Sequence, residues 1–344
     1  MKAKPATIRD VAQASGVSSA TVSYVLNDGP RRVDPGTKAR VLAAMERLQY
    51  HPNTMARAMN RKRLDCLGVV FPQSNPVLVG DSYFGAILDG IIHVATDRKQ
   101  NVTLYTGMEW HSQASLPAFR DRRVDGLLLV ATLTDSDIVP QLSDAGIPFV
   151  LISHTVPDPR VCSVDIDNVE AAYNVVKHFI DLGHRRIALA GGQWNSPSTR
   201  PRRIGFEKAL RDHGLPIDTD LILEGFYTRE WGHEATARLM GLSDPPTAVF
   251  AGGDGIAAGI YEACAGRGIP IPGQLSVVGF DDAPFVAQLN PPMTTVRHPL
   301  MELASTATTM LLDRLDAGLD DTAPGKQMVL NGELIVRGST APPG

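Results

Sequence analysis

The chain has 344 residues and a formal net charge of −4; 43% of the residues are hydrophobic and 20% are charged, which excludes a disordered chain and gives enough length for two or three domains. No apolar run approaches the roughly 20 residues that cross a membrane, and the basic, polar N-terminus lacks the apolar segment of a secretory signal. Cys66, Cys162 and Cys264 have the spacing of neither a zinc site nor a disulfide framework, so we expect no bound metal and a reducing, cytoplasmic location. We also expect no cofactor and no membrane partner.

The charge is distributed unevenly along the chain. Residues 1–63 contain 12 lysine and arginine residues against four acidic ones, a net charge of +8, whereas the remainder carries −12. A basic segment next to an acidic body is typical of a nucleic-acid-binding domain attached to a domain that does not touch nucleic acid. A solvated basic face would give the same charge, so charge alone leaves both interpretations open.

The first 27 residues show the pattern of two short helices. Thr7 and Asp10 fit a capping box at the start of the first helix, and Gly16 supplies the left-handed conformation that ends it. Ser18 can cap the second helix. Its apolar positions are Ala20, Val22, Val25 and Leu26.

A third helix starts at Asp34 and Pro35, an N-cap residue followed by a proline at the first helical position. Its predicted apolar face consists of Val41, Leu42, Met45 and Leu48. Three short helices with a glycine turn between the first two predict a helix-turn-helix, in which the second helix enters the major groove of DNA. The alternative is a plain three-helix bundle. Small, polar residues early in the second helix (Ser18, Ser19, Thr21 and Ser23) favour DNA binding because they let the helix sit deep in the groove.

Residues 7–27 resemble, over the whole 21-residue stretch, the N-terminal signature of the LacI/GalR family of bacterial transcription regulators. Residues 50–57 resemble the hinge of that family, which folds into a short helix on DNA. The resemblance implies a helix-turn-helix domain over residues 1–50, a hinge over 51–63, and an effector-binding and dimerisation domain over 64–344. It assigns DNA contacts to Thr7, Ser18, Ser19, Ala20, Thr21, Ser23, Tyr24, Asn27, Arg32, Asn53, Ala56, Arg57 and Met59.

Two of these positions depart from the family pattern. Tyr24 stands where most members carry an arginine that reads guanine, so the half-site preference is expected to differ. Met59 stands where a leucine usually wedges into the minor groove, and methionine is an acceptable apolar wedge. The alternative for Met59 is a linker methionine without a role. Arg57, with the basic run 61–63, would neutralise phosphates.

From residue 64 onward, short apolar runs alternate with helix-length segments. The pattern indicates parallel sheets covered by helices on both faces, and seven or more such units indicate two sheets rather than one. The segment Asp165–Asn168 separates the two sets and is a candidate crossover between lobes.

This region resembles the regulatory domain of the same family, which is similar to periplasmic sugar-binding proteins. The motifs that carry the resemblance are residues 164–168, 182–187, 277–282 and 291–297. The resemblance implies two lobes, three crossovers and an effector between the lobes. It assigns effector contacts to Tyr83, Phe84, Ser153, Arg202, Tyr227 and Asp281.

Several of these positions have simpler alternatives. Asp281 and Asp282 precede a candidate helix start, so either aspartate can serve as an N-cap instead. The aromatic residues can be core material, and Arg202 lies in a basic cluster that would suit a surface. Gly253 stands where a polar residue often contacts the effector, so we expect a roomier pocket with one hydrogen bond fewer.

No catalytic or phosphate-binding motif occurs in the sequence: there is no Walker loop, no G-x-G-x-x-G and no H-E-x-x-H. A sugar kinase or dehydrogenase would need one of these, and a solute receptor would need an export signal. We therefore expect a regulator that is not an enzyme, a repressor that binds a near-palindromic operator as a homodimer under control of a small-molecule effector such as a carbohydrate. The tail from residue 323 lacks the leucine heptads that would make a tetramer.

Overall fold

The computed structural model describes residues 6–27, 33–51, 63–71, 82–105, 116–121, 123–318 and 324–344. The chain divides into two compact units, residues 1–65 and 66–344. None of the helices in these ranges is both long enough and apolar enough to cross a membrane.

The N-terminal unit contains three helices, α1 Ile8–Ser15, α2 Ser19–Asn27 and α3 Pro35–Arg47. The capping box of α1 is present, with the Thr7 N–H donating to the Asp10 carboxylate at 2.7 Å. Gly16 ends this helix in the left-handed region, at φ 68°. Ser18 accepts a hydrogen bond from the Thr21 N–H at 3.1 Å and caps α2. These local predictions are confirmed.

The third helix begins as the sequence predicts, with the Asp34 carboxylate accepting from the Thr37 N–H at 2.9 Å. The core of the unit is formed by Val11, Ala12, Val22, Val25, Val41 and Ala44. The prediction that Leu42 belongs to this core is wrong, because its side chain is 49% exposed. Leu42 lies about 100° around the helix from Val41, outside the arc that faces α1 and α2. Ala20, predicted as an apolar position of α2, is also exposed.

The second unit contains two six-stranded sheets within the described residues. The first sheet has the order β11-β5-β4-β3-β1-β2 and the second has the order β12-β10-β9-β8-β6-β7. All pairs are parallel except β10 with β12. The strands are β1 Cys66–Val70, β2 Asn101–Tyr105, β3 Gly126–Val130, β4 Phe149–Ile152, β5 Cys162–Ile166, β6 Ile187–Ala190, β7 Ile222–Leu223, β8 Ala248–Ala251, β9 Ser276–Asp281, β10 Thr294–Arg297, β11 Gln327–Leu330 and β12 Glu333–Ile335.

The helices of this unit are α4 Ser82–Asp97, α5 Leu116–Arg120, α6 Ile138–Asp144, α7 Asn168–Asp181, α8 Thr199–Asp212, α9 Arg229–Met240, α10 Asp254–Arg267 and α11 Leu300–Ala317. They cover both faces of each sheet, so alternate residues of one strand join different cores. In β3, Leu128 packs towards α4 and α11, whereas Leu129 packs towards α5 and α6. In β6, Leu189 joins the core with α7 and α8, and Ala188 joins the core with α9 and α10. This double burial explains the continuous apolar strands.

The chain passes between the sheets three times, from β5 to α7, from β10 to α11 and from β11 to β12. The first passage is the predicted crossover at 165–168, which is confirmed. The sheets and their helices thus form two lobes. The first lobe is built on β1–β5 and β11, and the second on β6–β10 and β12.

Candidate functional site

A cavity of about 800 Å³ lies between the two lobes. It is lined by residues at the carboxyl ends of the strands and at the starts of the helices that follow them, where open α/β sheets bind their ligands. All six predicted effector residues line it, namely Tyr83, Phe84, Ser153, Arg202, Tyr227 and Asp281.

Arg202 is the buried arginine of this cavity. Its Nε donates to Asn168 Oδ1 at 2.9 Å, its Nη1 donates to the Gly252 carbonyl, and its guanidinium lies 3.5 Å from the centroid of the Phe280 ring. Its neighbour Arg200 is exposed, and Arg203 pairs with Glu207 on the helix surface. The alternative that Arg202 is a surface residue is therefore wrong.

Asp281 ends β9 with a positive φ of 117°, a conformation that a non-glycine residue adopts only when its surroundings hold it. Its Oδ1 lies 3.3 Å from Nδ1 of the buried His298. Burial and the charge of Arg202 lower the pKa of His298 to about 3, so the ring is neutral and donates from Nδ1. Burial and the charge of Asp281 raise the pKa of Asp254, whose carboxyl accepts from the Ala283 N–H and the Thr295 hydroxyl.

Asp282 is not an N-cap. The short 3₁₀ helix Pro284–Gln288 begins after Ala283 without a side-chain cap. The Asp282 carboxylate instead accepts from Arg297 Nε at 2.9 Å and from Arg337 at 2.6 Å. Two arginines from β10 and the C-terminal tail reach this carboxylate, and sequence proximity could not reveal them.

The aromatic residues Tyr83 and Phe84 pack against neighbouring side chains and also line the cavity. Phe84 is buried and packs edge-on against Phe71 with ring centroids 5.4 Å apart, while it also lines the cavity. Tyr83 is half-buried, and its ring centroid lies 5.9 Å from that of His298. Burial raises the pKa of Tyr83, and the neighbouring Ser153 hydroxyl acts in the opposite direction, so the phenol is neutral.

Tyr227 is held by hydroxyl contacts within the second lobe, 2.8 Å from Ser198 Oγ and 3.0 Å from Thr199 Oγ1. Its ring uses space that two glycines leave open. A Cβ on Gly253 would lie 3.0 Å from Tyr227 Cδ1, and a Cβ on Gly192 would lie 2.1 Å from Cε2. The expectation that Gly253 simply enlarges the pocket therefore needs correction, because the Tyr227 ring takes part of that volume.

The lobes also touch beside the cavity. The Thr134 N–H donates to the Asn195 carbonyl at 2.8 Å, and Asn195 Nδ2 donates to both carboxylate oxygens of Asp135. Thr134 and Asp135 follow β3 in the first lobe, and Asn195 follows β6 in the second. Sequence reasoning missed this contact and assigned no site role to His298 or to Asn168, although Asn168 ends the motif 164–168.

On the N-terminal unit, the predicted DNA-contacting residues lie in or before α2. Ser18 and Ala20 are exposed, and Tyr24 has 36% of its surface exposed. Ser19, Thr21 and Ser23 are half-buried, and exposed Thr7 serves the capping box of α1. Asn27 is the last residue of α2, and its side chain lies outside the described part of the chain. Also outside the described residues lie Arg32, Asn53, Ala56, Arg57 and Met59.

Comparison with known proteins identifies this combination. The family model "Bacterial regulatory proteins, lacI family" matches residues 7–53, and the model "Periplasmic binding protein-like domain" matches residues 176–340. The transcriptional repressor CytR of Escherichia coli K12 is 32% identical over 348 residues, which covers 99% of both chains. This chain belongs to the lacI family. Catabolite control protein A of Priestia megaterium is another relative, 32% identical over 89% of this chain and 91% of that protein.

Solved structures of lacI-family regulators agree along nearly the whole chain. The lac repressor dimer bound to operator and the anti-inducer ONPF is similar with a TM-score of 0.85 at 26% identity, covering 98% of this chain and 100% of that one. The complex of the transcriptional regulator CelR with cellobiose is similar with a TM-score of 0.75 at 29% identity, covering 97% and 99%. This lacI-family protein is therefore a DNA-binding transcriptional regulator, and its relatives are not enzymes.

Among the residues that the structure describes, no cluster of three or more histidine, cysteine or acidic side chains is suited to hold a metal. Cys264 is buried in α10, and burial raises the pKa of its thiol to about 11, which keeps it protonated.

Proposed function

We propose that this protein is a sequence-specific transcriptional repressor whose operator affinity is set by a small carbohydrate effector bound between the lobes. The observation that carries the proposal is the convergence of the six effector candidates on one cavity, around the buried Arg202 and the Asp281–His298 pair. An exposed tyrosine and small polar residues on α2 support the DNA-binding half of the proposal.

The cavity has the chemistry that a polyhydroxy ligand needs. Phe84 and Tyr227 offer apolar ring surfaces, while Asp281 and Ser153 offer polar atoms that can exchange hydrogen bonds with hydroxyl groups. A volume of about 800 Å³ leaves room for more than one sugar ring. The similar regulator CelR was solved with cellobiose, which supports a carbohydrate of that size.

The DNA-binding mechanism follows from two copies of the N-terminal unit. In a homodimer, each α2 enters a major groove, and the two half-sites lie about one turn of DNA apart. The six effector contacts sit on both lobes, so an effector favours one arrangement of the lobes over another. The coupling between effector and operator is expected to be about 1–3 kcal/mol.

We propose functional boundaries at residues 1–50 for the helix-turn-helix domain, 51–63 for the hinge and 64–344 for the effector domain. The separation of the chain into compact units at residue 65 supports the last boundary. The thirteen DNA-contact residues and the six effector-contact residues named from the resemblance are part of this proposal.

Selection of random duplex DNA by the purified full-length protein tests the proposal. The expected result is a near-palindromic site of about one and a half turns, whose affinity falls about 10³-fold between 50 and 200 mM salt if six phosphates are neutralised. Absence of any enriched site, both with and without a metabolite extract, would contradict it. Affinity that does not change with salt would contradict it as well.

A further inference from the structure

Acidic side chains outnumber basic ones around the cavity. Among the described residues, the acidic ones that line it are Asp165, Asp254, Asp281, Asp282 and Glu302, of which burial raises the pKa values of Asp165 and Asp254 and favours their neutral forms. The basic ones are Arg202, Arg229 and Arg297, because the pKa of about 3 keeps His298 neutral.

Each of the three arginines is engaged by protein groups. Arg229 pairs with Glu262, and Arg297 pairs with Asp282 at 2.9 Å and Glu333 at 3.3 Å. Arg202 uses Nε and Nη1 for Asn168 and Gly252, and Phe280 covers one face of its guanidinium. A phosphate or carboxylate is recognised best by a bidentate fork of an arginine, and protein groups already use Nε and Nη1 of Arg202, which leaves Nη2 for an effector.

At two of the helix starts beside the cavity, protein groups already face the first turn of the helix. Thr228 caps α9 by accepting from the Trp231 N–H at 3.2 Å, and Asp254 brings its carboxyl into the first turn of α10. In α8 the third residue is Pro201, which has no N–H to donate. The helix dipoles are thus already matched by protein groups at two of these ends.

Asp281 and His298 present hydrogen-bond acceptors to the cavity. Asp281 is a carboxylate, and His298 donates to it from Nδ1, which leaves Nε2 as an acceptor. Nε2 is buried and has no hydrogen-bond partner among the described residues. Hydroxyl groups can donate to such atoms, whereas the oxygens of phosphate dianions and carboxylates can only accept.

We infer that the cleft takes an effector without an anionic group and excludes the phosphate esters and acid forms of the same compound. This inference rests on the proposed function and narrows its effector class. An added phosphate would meet the Asp281 carboxylate and the acceptor Nε2 of His298, so its affinity is expected to be about 100-fold lower than that of the uncharged form.

Fractionation of a metabolite extract from the source cells tests the inference by the charge of the active compound, whatever its identity. The extract is passed over an anion exchanger, and the unbound and salt-eluted fractions are desalted and added to full-length protein with its selected operator. The inference expects the unbound fraction to change operator affinity. An effect confined to the salt-eluted fraction would overturn it while leaving effector control intact. An effect in neither fraction would instead contradict the proposed effector control, and the inference would fall with it.

A charge-neutralising variant tests whether the effector acts through the cavity carboxylate Asp281. Asp281→Asn is expected to reduce the response to the unbound fraction at least about tenfold, because a half-buried carboxylate acceptor for the ligand is changed. Asp212→Asn, which removes the same charge from the exposed end of α8, serves as the matched control and should respond like wild type. Equal responses of the two variants would overturn the inference.

Discussion

Asn195 joins the second lobe to Asp135 of the first lobe, with its Nδ2 3.3 and 3.2 Å from the two carboxylate oxygens. The neighbouring Thr134 N–H donates to the Asn195 carbonyl at 2.8 Å, so the contact fixes backbone as well as side chains. Because effector candidates lie on both lobes, a contact that holds the lobes together also holds the two halves of the candidate site at binding distance.

Asn195→Ala and Asp135→Ala are expected to weaken effector binding about two- to fivefold each, since a smaller fraction of molecules then has the lobes together. The double variant should bind no worse than either single variant, because both substitutions remove the same contact. Titration of effector into each variant measures these affinities. Asp137→Ala, at a nearby helix start without a side-chain hydrogen bond, is the control. Additive losses in the double variant would show that the contact does not act as a unit.

Tyr227 depends on two glycines to different degrees. Gly192→Ala places a Cβ 2.1 Å from the ring and is expected to cost about 1–3 kcal/mol of unfolding free energy and to weaken effector binding. Gly253→Ala places a Cβ 3.0 Å from the ring, which a small shift relieves, so its cost should stay below about 1 kcal/mol. Urea denaturation of both variants measures the difference. Equal stability of the two would contradict the placement of the ring.

Tyr24 is the exposed aromatic residue of α2. Tyr24→Ala is expected to change the half-site that random-DNA selection recovers, since a base contact contributes about 1–3 kcal/mol of discrimination. Affinity for non-specific DNA should stay within about threefold, because phosphate contacts supply that term. Leu42→Ala, which truncates an exposed apolar side chain on α3, should leave the recovered half-site unchanged. A Tyr24 variant that selects the wild-type site would show that this residue does not read a base.

Two buried histidines predict a pH dependence of stability. Burial lowers the pKa of His154 to about 4, and burial with the charge of Arg202 lowers that of His298 to about 3. Between these values and about 6.5 the unfolded chain binds protons at both positions and the folded chain does not. The free energy of unfolding should therefore fall as pH decreases through this window, by about 1 kcal/mol per pH unit for each histidine.

Comparison of variants separates the histidine contribution to the pH dependence of stability from that of the buried aspartates. Burial raises the pKa values of Asp165 and Asp254, and their contribution has the opposite sign, because the folded chain then holds protons that the unfolded chain has lost. His154→Gln is therefore expected to reduce the slope of stability between pH 7 and pH 5 relative to wild type, as measured by urea denaturation. His93→Gln, at an exposed position of α4, is the control. An unchanged slope in His154→Gln would contradict the assignment.

Local signals made the N-terminal unit predictable from sequence. The capping box at Thr7, the glycine at position 16 and the Asp34-Pro35 start each act within one turn of a helix, so the sequence contains the whole interaction. Leu42 shows the limit of that reasoning, because a helix periodicity tolerates an apolar residue at the edge of its face.

The second unit was predictable in its buried strands and less so at its edges. Strands such as β3 are continuous apolar runs, whereas β7, β11 and β12 are short, half-exposed strands without such a signal. The six cavity residues could be predicted because the resemblance to the lacI family supplied their positions. Contacts such as Asp281 with His298 and Asn195 with Asp135 join segments that are far apart in sequence, and only the fold brings them together.

The most direct test of effector control is to measure the coupling between effector and operator in both directions. Operator affinity is measured with and without the active metabolite fraction, and effector affinity is measured with and without the selected operator. Effector control of operator binding predicts that the two ratios are equal and lie between about 5 and 150, because linkage makes the coupling reciprocal. Operator affinity that is the same with and without an effector bound in the cleft would contradict it.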